Sequence, residues 1–255
     1  MKRVFDILLA LSVLLTVAPI LLPVIFLVWY QDRHSPFYIA PRVGRGGQIF
    51  HMIKLRSMII NADLSGVDST SALDPRITPV GHFIRRYKLD ELTQFWNVLK
   101  GDMSLVGPRP NVKRGTDTYS SEEKKLLTVK PGITDFASIV FSDEGNILKD
   151  KADPDLAYDQ LIRPWKSRLG IFYVERHSFL LDIQLVFLTA VAIIHRKAAL
   201  YRVQAILSRM GADEVLVRVS GRQEDLLPYP PPGMTEIVRS LTIDGLEDGR
   251  TAKPA

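Results

Sequence analysis

The sequence predicts a mixed α/β protein, mainly helical, that is held at one face of a membrane by an N-terminal helix–break–helix. Three observations lead to this fold class. Residues 4–30 form a long apolar segment, residues 89–99 repeat leucine and tryptophan at helical spacing, and residues 48–60 alternate in the manner of a strand. We therefore expect a re-entrant membrane helix followed by a small compact cytoplasmic domain with interfacial amphipathic helices.

Composition narrows the class of protein. The chain has 255 residues, 46% of them hydrophobic, with 33 Lys and Arg against 28 Asp and Glu. The net charge of +5 favours anionic partners such as headgroups or nucleotides, but it is equally typical of ordinary surface charge. Without cysteine there is no disulfide and no thiolate metal site. The basic residues cluster around acids and do not alternate with aromatic residues, so nucleic-acid binding is not predicted.

The segment 4–30, VFDILLALSVLLTVAPILLPVIFLVWY, is long enough to cross a hydrocarbon core of about 30 Å. Its length and the absence of a small-residue cleavage site argue against a cleaved signal peptide. Pro19 and Pro23 lie near its middle and predict a membrane break. Basic residues flank both ends, beginning with Lys2 and Arg33, and favour the cytoplasm for both. A re-entrant path is favoured over a single kinked span.

Three regions are predicted: the re-entrant helix at 1–34, a compact domain at 35–197 and an accessory tail at 198–255. A second apolar segment, Phe179–Ile194, contains Asp182 and is too short to span; it predicts a core helix or an interfacial helix. In the tail, ALYRVQAILSRM predicts a helix, and EVLVRV alternates like a strand that would allow a homodimer. The stretch LPYPPPGM predicts irregular structure.

Within the domain, QIFHMIKLRSMII predicts a strand, and residues 61–79 predict a loop. Side chains on a strand repeat every second residue, so Lys54 and Arg56 should project from the same face. The sequence has no Walker phosphate loop, no G-x-G-x-x-G and no histidine pair at zinc spacing.

Two adjacent carboxylates, Asp90 and Glu91, fall in the first turn of a helix predicted from residue 90 to about 100 and stopped near Gly101. Acids are common in a first turn because unpaired N–H groups and the helix dipole favour negative charge. Taken alone, this position is explained by helix capping.

The arginines around the pair favour a functional site. Arg76 and Arg85 precede it, and a Gly-Pro turn at Pro108 presents Arg109 after it. Arginine forks match phosphate oxygens, so the arrangement suggests a phosphorylated substrate. Hard oxygen ligands point to Mg²⁺ as the cofactor.

Four stretches carry a resemblance to a known family: FHMIKLRSM, RITPVGHFIRRYKLDELTQFWNVLKGDMSLVGPRP, VKPGIT and YVERHSFLLDIQLVFLTAVAII. Over roughly residues 1–197 the chain resembles the bacterial sugar transferase family of monotopic phosphoglycosyl transferases. The resemblance implies transfer of a phospho-sugar from a UDP-sugar to polyprenol phosphate at the cytoplasmic membrane face, with undecaprenyl phosphate as the expected acceptor. UMP would be released and a polyprenyl-diphosphate-linked sugar formed, the first membrane step of glycan assembly.

The resemblance also implies roles for single residues, each at a position where the family's motifs match this chain. These are Asp90 as the nucleophile, Glu91 as the adjacent metal-linked acid, Arg85 and Arg109 as phosphate-binding arginines, Lys54 and Arg56 as the basic strand motif, and Asp182 as the acid of the late helix.

Two other classes of protein remain open. A membrane-anchored scaffold would use the basic patch to bind anionic lipid, with Asp90 and Glu91 merely capping a helix. A metal-dependent phosphohydrolase would act on lipid diphosphates. The sugar, the polyprenol length and the glycan pathway are not predicted.

Overall fold

Helices make up most of the regular structure, and four short strands form two separate pairs in the part of the chain that the structure describes. The computed structural model describes residues 1–62 and 74–239, so part of the predicted loop at 61–79 and the end of the tail lie outside it. The strands are β1 (Phe37–Val43), β2 (Ile49–Leu55), β3 (Ser104–Val106) and β4 (Gly132–Thr134). The helices are α1 (Lys2–Asp32), α2 (Pro79–Arg86), α3 (Leu89–Leu92), α4 (Gln94–Lys100), α5 (Lys113–Asp117), α6 (Phe136–Val140), α7 (Glu144–Ile147), α8 (Pro154–Ala157), α9 (Arg163–Arg176), α10 (Phe179–Ile194), α11 (Arg196–Arg209) and α12 (Glu214–Ser220). Shorter turns of 3-10 helix cover Arg45–Gly47 and Glu123–Thr128, and a π-helix covers Tyr158–Ile162.

Helix α1 confirms the predicted apolar helix and corrects its predicted break. Its backbone is helical from Lys2 to Asp32, with Pro19 and Pro23 inside it. A proline removes one N–H donor, but its fixed φ is itself helical, so two prolines on one side of a helix do not force non-helical backbone. The helix ends at Arg33, whose left-handed φ of 61° turns the chain.

The two ends of α1 pack against the rest of the protein, and its middle does not. Near the start, Asp6 and Ala10 are buried; near the end, Leu21, Val24 and Val28 are buried. Residues 11–20 between these zones contain no buried side chain. The second zone belongs to a small apolar cluster whose other buried members are Leu55, Ile84 and Leu89.

Polar contacts fasten the start of α1. Lys2 Nζ lies 2.5 Å from Asp182 Oδ2 in α10. Arg3 donates a hydrogen bond of 2.8 Å to the Leu99 carbonyl at the end of α4. Asp6 accepts a hydrogen bond of 2.9 Å from the Ser104 hydroxyl in β3. Lys2 and Arg3, the basic residues before the apolar segment, thus bind within the protein.

Strands β1 and β2 form an antiparallel hairpin in which Phe37 pairs with Leu55 and Val43 with Ile49. The turn between them uses Gly46 at a φ of 68°, a conformation that glycine adopts without strain. The predicted strand at 48–60 is confirmed but ends at Leu55, so Arg56 lies just beyond it.

Strands β3 and β4 are parallel and very short, with Ser104 beside Gly132 and Val106 beside Thr134. The chain continues past β3 so closely that a Cβ on Gly132 would lie 2.1 Å from the Gly107 nitrogen. Glycine is therefore required at the contact. The segments GPRP and VKPGIT, separate in sequence, meet here.

The main core lies between α6, α9, α10 and α11. Phe136, Leu169, Leu185 and Val203, one from each of these helices, are almost completely buried in it. The first part of the predicted tail therefore shares the core of the preceding domain. The predicted strand EVLVRV is wrong: it is helix α12, because Asp213 caps its first turn by accepting hydrogen bonds from the amides of residues 215 and 216.

Candidate active site

The carboxylate pair begins a short helix, as predicted. Lys88 adopts a left-handed φ of 52°, which reverses the chain after α2 and starts α3 with buried Leu89. Asp90 and Glu91 follow, both half-buried. The predicted helix from 90 to 100 is divided at Thr93 into α3 and α4, and it ends at Gly101 as expected.

Hydrogen bonds from α4 hold this helix against the outer edge of β2. The Asn97 side chain accepts from the Ile53 amide at 2.9 Å and donates to the His51 carbonyl at 2.7 Å. The Thr93 hydroxyl donates to the Ile53 carbonyl at 3.0 Å. Thr93 and Asn97 thus bond backbone N–H and C=O groups at the edge of β2, which would otherwise be free to pair with another strand. They bring Lys54 of β2 to the carboxylates of α3.

Lys54 is the cation of β2 in this site. In the part of the chain that the structure describes, its ammonium group makes no hydrogen bond or ion pair within bonding distance. Burial, with the nearby Arg109 charge, lowers its pKa to about 8, and Asp90 and Glu91 oppose the shift. An ammonium group that is partly buried and unpaired is suited to an anionic ligand.

Arg109 reaches the site from the loop after β3. Its Nη2 donates a hydrogen bond of 2.8 Å to Glu91 Oε1. Against the effect of burial, Arg109 and Lys88 lower the pKa of Glu91 to about 2. Pro108 is placed by the β3–β4 contact, because its carbonyl accepts a 3.0 Å hydrogen bond from the Gly132 amide.

Arg85 approaches from the last turn of α2. Its Nε donates a hydrogen bond of 2.9 Å to the Ser57 hydroxyl. Gly81, one turn earlier, packs so tightly on the Ser57 carbonyl that a Cβ would lie 1.8 Å from its oxygen. This contact fixes α2, and with it Arg85, against the end of β2.

Asp90 is the least paired acid of the cluster. Its carboxylate makes no hydrogen bond to any residue that the structure describes, in contrast to Glu91. Burial raises its pKa, and the charges of Lys54, Arg109 and Arg85 oppose that shift. The result is a half-buried carboxylate surrounded by three cations.

Two residues predicted to bind substrate phosphate form ion pairs with acids other than the carboxylate pair. Arg56 forms an ion pair with Asp32 at the end of α1 and also donates to the Ser35 carbonyl at 2.8 Å. Arg76 pairs with Asp74 at 2.6 Å. Both guanidinium groups thus pair with acids close by in the folded chain, and their contact with substrate phosphate stays a prediction.

Asp182 lies in α10, away from the carboxylate pair. Besides Lys2, it accepts a hydrogen bond of 2.6 Å from the Tyr173 hydroxyl. Val106, three residues before Arg109, accepts through its carbonyl from Lys2 at 3.3 Å. Asp182 therefore joins α1 to the strand that leads to Arg109, which agrees with a supporting role.

Sequence reasoning missed Thr93 and Asn97, which join α4 to β2. Thr93 and Asn97 are polar residues four positions apart, on one face of the predicted helix. That spacing is a weak signal that polar backbone groups lie opposite this face. Sequence reasoning also missed Glu144 and Lys166, which form an ion pair whose charges reach Arg109.

The donor set fits the predicted magnesium ion. Among residues 1–62 and 74–239 no group of three acidic or histidine side chains could hold a metal by itself. Mg²⁺ usually binds through one or two carboxylates, with water and substrate phosphates completing its shell. Asp90, and the Glu91 oxygen not bonded to Arg109, can provide those carboxylates.

Comparison with known proteins agrees with this geometry. The sequence model described as bacterial sugar transferase matches residues 1–196. The chain is 34% identical over 214 residues to a UDP-galactose-lipid carrier transferase of Erwinia amylovora, a match that covers 78% of this chain and 41% of that relative. It is 36% identical over 195 residues to an undecaprenyl-phosphate glucose phosphotransferase of Komagataeibacter xylinus, covering 74% and 35%.

A shorter relative, the exopolysaccharide production protein ExoY of Sinorhizobium fredii, is 33% identical over 207 residues, which covers 75% of this chain and 84% of that protein. The chain thus spans less than half the length of the first two relatives and most of the third. The match to the family model includes α1, the carboxylate pair, the GPRP turn and α10. The chain belongs to the bacterial sugar transferase family.

Proposed function

We propose that the protein transfers a phospho-sugar from a UDP-sugar to polyprenol phosphate, with Asp90 as the nucleophile. The observation that carries this proposal is one half-buried carboxylate, free of hydrogen bonds to the described residues, surrounded by Lys54, Arg85 and Arg109. The Erwinia relative is named for UDP-galactose and the Komagataeibacter relative for undecaprenyl phosphate, which supports the same substrate classes here.

In the first step an Asp90 carboxylate oxygen attacks the phosphorus that bears the sugar. A P–O bond forms to Asp90, and the P–O bond to the UMP phosphate breaks. UMP leaves with that electron pair, and the sugar phosphate stays on Asp90 as an acyl phosphate. Lys54, Arg85 and Arg109 balance the negative charge of the diphosphate, and they are already in place before the donor binds.

In the second step a phosphate oxygen of polyprenol phosphate attacks the same phosphorus. The P–O bond to Asp90 breaks, which restores the carboxylate and yields a polyprenyl-diphosphate-linked sugar. Both displacements use one site in turn, so the proposal predicts ping-pong kinetics.

Magnesium is part of this proposal as the cofactor. Asp90 and Glu91 would hold it. When bound, Mg²⁺ would neutralise charge on the donor diphosphate. The hydrogen bond from Arg109 to Glu91 would keep one Glu91 oxygen oriented, which leaves the other for the metal.

The re-entrant path of α1 is also a proposal: Pro19 and Pro23 would bend the helix without breaking its helical backbone, and the anchoring of both ends supports this path. At 1.5 Å per residue its 31 residues extend about 46 Å along the axis. Its start binds Asp182 and its end binds Arg56, both parts of the same domain. If the helix crossed the bilayer, one of its ends would lie on the far side of a hydrocarbon core of roughly 30 Å, away from the face on which the other end is bound.

Exposed apolar side chains support an interfacial position for the domain. The middle of α1 exposes Leu15, and α10 exposes Phe187, Ile193 and Ile194. Lys197 follows at the start of α11, where a cation suits contact with headgroups. We place this surface at the cytoplasmic face of the bacterial inner membrane, where the lipid phosphate lies level with Asp90.

The decisive experiment omits the acceptor. Detergent-purified protein is incubated with Mg²⁺ and UDP-glucose or UDP-galactose, without polyprenol phosphate, and analysed by intact mass and UMP release. The proposal predicts one phospho-sugar per protein and one equivalent of UMP. The adduct should be absent in Asp90→Asn and present in the control Asp117→Asn, whose carboxylate pairs with exposed Lys113.

The rival functions give different results in the same assay. A lipid-binding scaffold would release no UMP and form no adduct. A phosphohydrolase would release product repeatedly without retaining a phospho-sugar. Release of UMP by Asp90→Asn at the normal rate would overturn the assignment of the nucleophile.

A further inference from the structure

A polar cluster without a role in the phosphate chemistry lies beside the candidate active site. It consists of Glu144 at the start of α7, Lys166 in α9 and Tyr158 in the π-helix. Glu144 and Lys166 form an ion pair, and Lys166 Nζ lies 5.3 Å from the centre of the Tyr158 ring. The Glu144 and Lys166 side chains keep 34% and 20% of their exposure, so a ligand can reach both.

The cluster is near enough to the guanidinium group that binds Glu91 for the charges of Glu144 and Arg109 to act on each other. Glu91 and, more weakly, Glu144 raise the pKa of Arg109. Against the effect of burial, Lys166 and then Arg109 lower the pKa of Glu144. A ligand whose phosphates bind Arg109 is therefore within reach of Glu144 and Lys166.

The C-terminal segment holds one side of this cluster through Asp143, the neighbour of Glu144. Arg196 Nη2 lies 2.7 Å from Asp143 Oδ1, and Arg196 Nε donates a hydrogen bond of 3.0 Å to the Ser142 hydroxyl. Arg222, just after α12, approaches Asp143 Oδ2 at 3.5 Å. Arg196 at the start of α11 and Arg222 after α12 thus fix the start of α7.

The same segment holds the other side through Gln160, which lies in the π-helix two residues after Tyr158. The Gln160 carbonyl accepts a hydrogen bond of 3.0 Å from the Tyr229 amide, and its side chain donates to the Val238 carbonyl at 2.7 Å. The Tyr229 ring packs on Trp165, with 4.4 Å between the ring centres. The π-helix at Tyr158–Ile162 lies between α8 and α9, and π-helical turns are frequent at functional sites.

We propose that Glu144, Lys166 and Tyr158 form a subsite for the hydroxyl groups of the donor, and that residues 196–238 position this subsite by fixing Asp143 and Gln160. This inference rests on the proposed function. A carboxylate accepts hydrogen bonds and an ammonium group donates them, so the pair complements vicinal hydroxyls, which do both. The family model ends at residue 196, so the positioning segment after Arg196 lies beyond the family match.

A UDP-sugar carries such hydroxyls on its hexose and on its ribose, and kinetics with two ligands distinguishes them. The test measures KM for the UDP-sugar that forms the adduct, the inhibition constant of UMP, and kcat with saturating donor. Glu144→Gln should raise KM about tenfold or more, because a hydrogen bond to a charged acceptor is lost. If the inhibition constant of UMP is unchanged, the subsite binds hydroxyls of the hexose. If that constant rises by the same factor as KM, the subsite binds hydroxyls of the ribose.

Positioning by the C-terminal segment is tested with Arg222→Met, which keeps an unbranched side chain over Phe141. KM should rise about threefold to tenfold, with kcat and adduct formation at saturating donor retained. The control is Arg218→Met in α12, where the arginine is 64% exposed and lies 3.8 Å from Glu224. This control should match the unmodified protein.

The outcomes separate the two proposals. If the unmodified protein forms no adduct with any UDP-sugar, the proposed function fails. If it forms the adduct and Glu144→Gln leaves both KM and the UMP constant unchanged, the subsite is overturned and the proposed function stands. If Glu144→Gln raises KM and Arg222→Met does not, positioning by the C-terminal segment is overturned.

Discussion

Arg109 donates a hydrogen bond of 2.8 Å to Glu91, which joins the loop after β3 to the helix that begins with the carboxylate pair. The bond leaves the other Glu91 oxygen and the rest of the guanidinium group able to meet a ligand. Because Pro108 and the Gly107–Gly132 contact hold the loop, Arg109 is placed by backbone as well as by its partner.

Arg109→Lys should lower kcat/KM for the donor about a hundredfold, although the charge is kept. A lysine is a single point donor and cannot bond Glu91 and a phosphate oxygen as a planar fork does. UMP release with polyprenol phosphate present measures the loss. The control is Arg218→Lys, at an exposed position, which should behave like the unmodified protein. A full rate in Arg109→Lys would contradict phosphate binding by the Arg109 fork.

The pH profile of kcat/KM should fall on the alkaline side near the Lys54 pKa of about 8. Lysine loses its positive charge as the pH rises through its pKa, so donor phosphate binds less well above that value. Lys54→Arg should move this alkaline limb upward, since arginine stays protonated. A limb that stays in place in Lys54→Arg would assign the titration to another group.

On the acid side, activity should fall at a pH above the ordinary range of an aspartate. Burial raises the pKa of Asp90, and only the ionised carboxylate can attack phosphorus. Protonation as the pH drops therefore removes the nucleophile. Adduct formation measured against pH, without acceptor, isolates this step; a yield that is unchanged down to the ordinary aspartate pKa would contradict the shift.

Thr93→Val should uncouple the carboxylate helix from β2. The change keeps the shape of the side chain but removes the hydroxyl that donates to Ile53, at a cost of about 1–3 kcal/mol for the unpaired group. We expect reduced kcat at saturating donor together with the loss of stability. The exposed Thr118→Val, whose hydroxyl bonds only a nearby carbonyl, is the control; equal effects in both would count against the specific role of Thr93.

Glu123→Ala should destabilise the domain by about 3–5 kcal/mol, because it leaves Arg163 buried without its main counter-charge. Glu123 is completely buried and also accepts from the Ser167 hydroxyl at 2.7 Å. Denaturant unfolding in detergent measures the difference. Glu175→Ala, in an exposed ion pair with Lys125, should change stability by about 1 kcal/mol or less. Similar losses in the two variants would contradict the estimate.

The sequence by itself determined the local features. The apolar run required a long N-terminal helix, helical spacing placed Asp90 and Glu91 in a first turn, and alternation placed Lys54 on a strand. The periodicity of a helix or strand, and the glycine that ends a helix, depend on residues close together in the chain. Both can therefore be predicted without the tertiary structure. The same reasoning wrongly predicted a strand for EVLVRV, because its valines alternate. The segment forms helix α12 because Asp213 caps its first turn and Leu216 packs in the core.

Only the tertiary structure decided which charges meet. Arg76 pairs with Asp74, two residues away, but Arg56 and Arg109 have no acid close by in the sequence, and the fold brings the first to Asp32 and the second to Glu91. That choice depends on the strand-edge hydrogen bonds of Asn97 and on the glycine contact between β3 and β4, which join segments far apart in the chain. Charges interact through space over a few ångströms, so the partner of an arginine is set by packing and not by its position along the sequence.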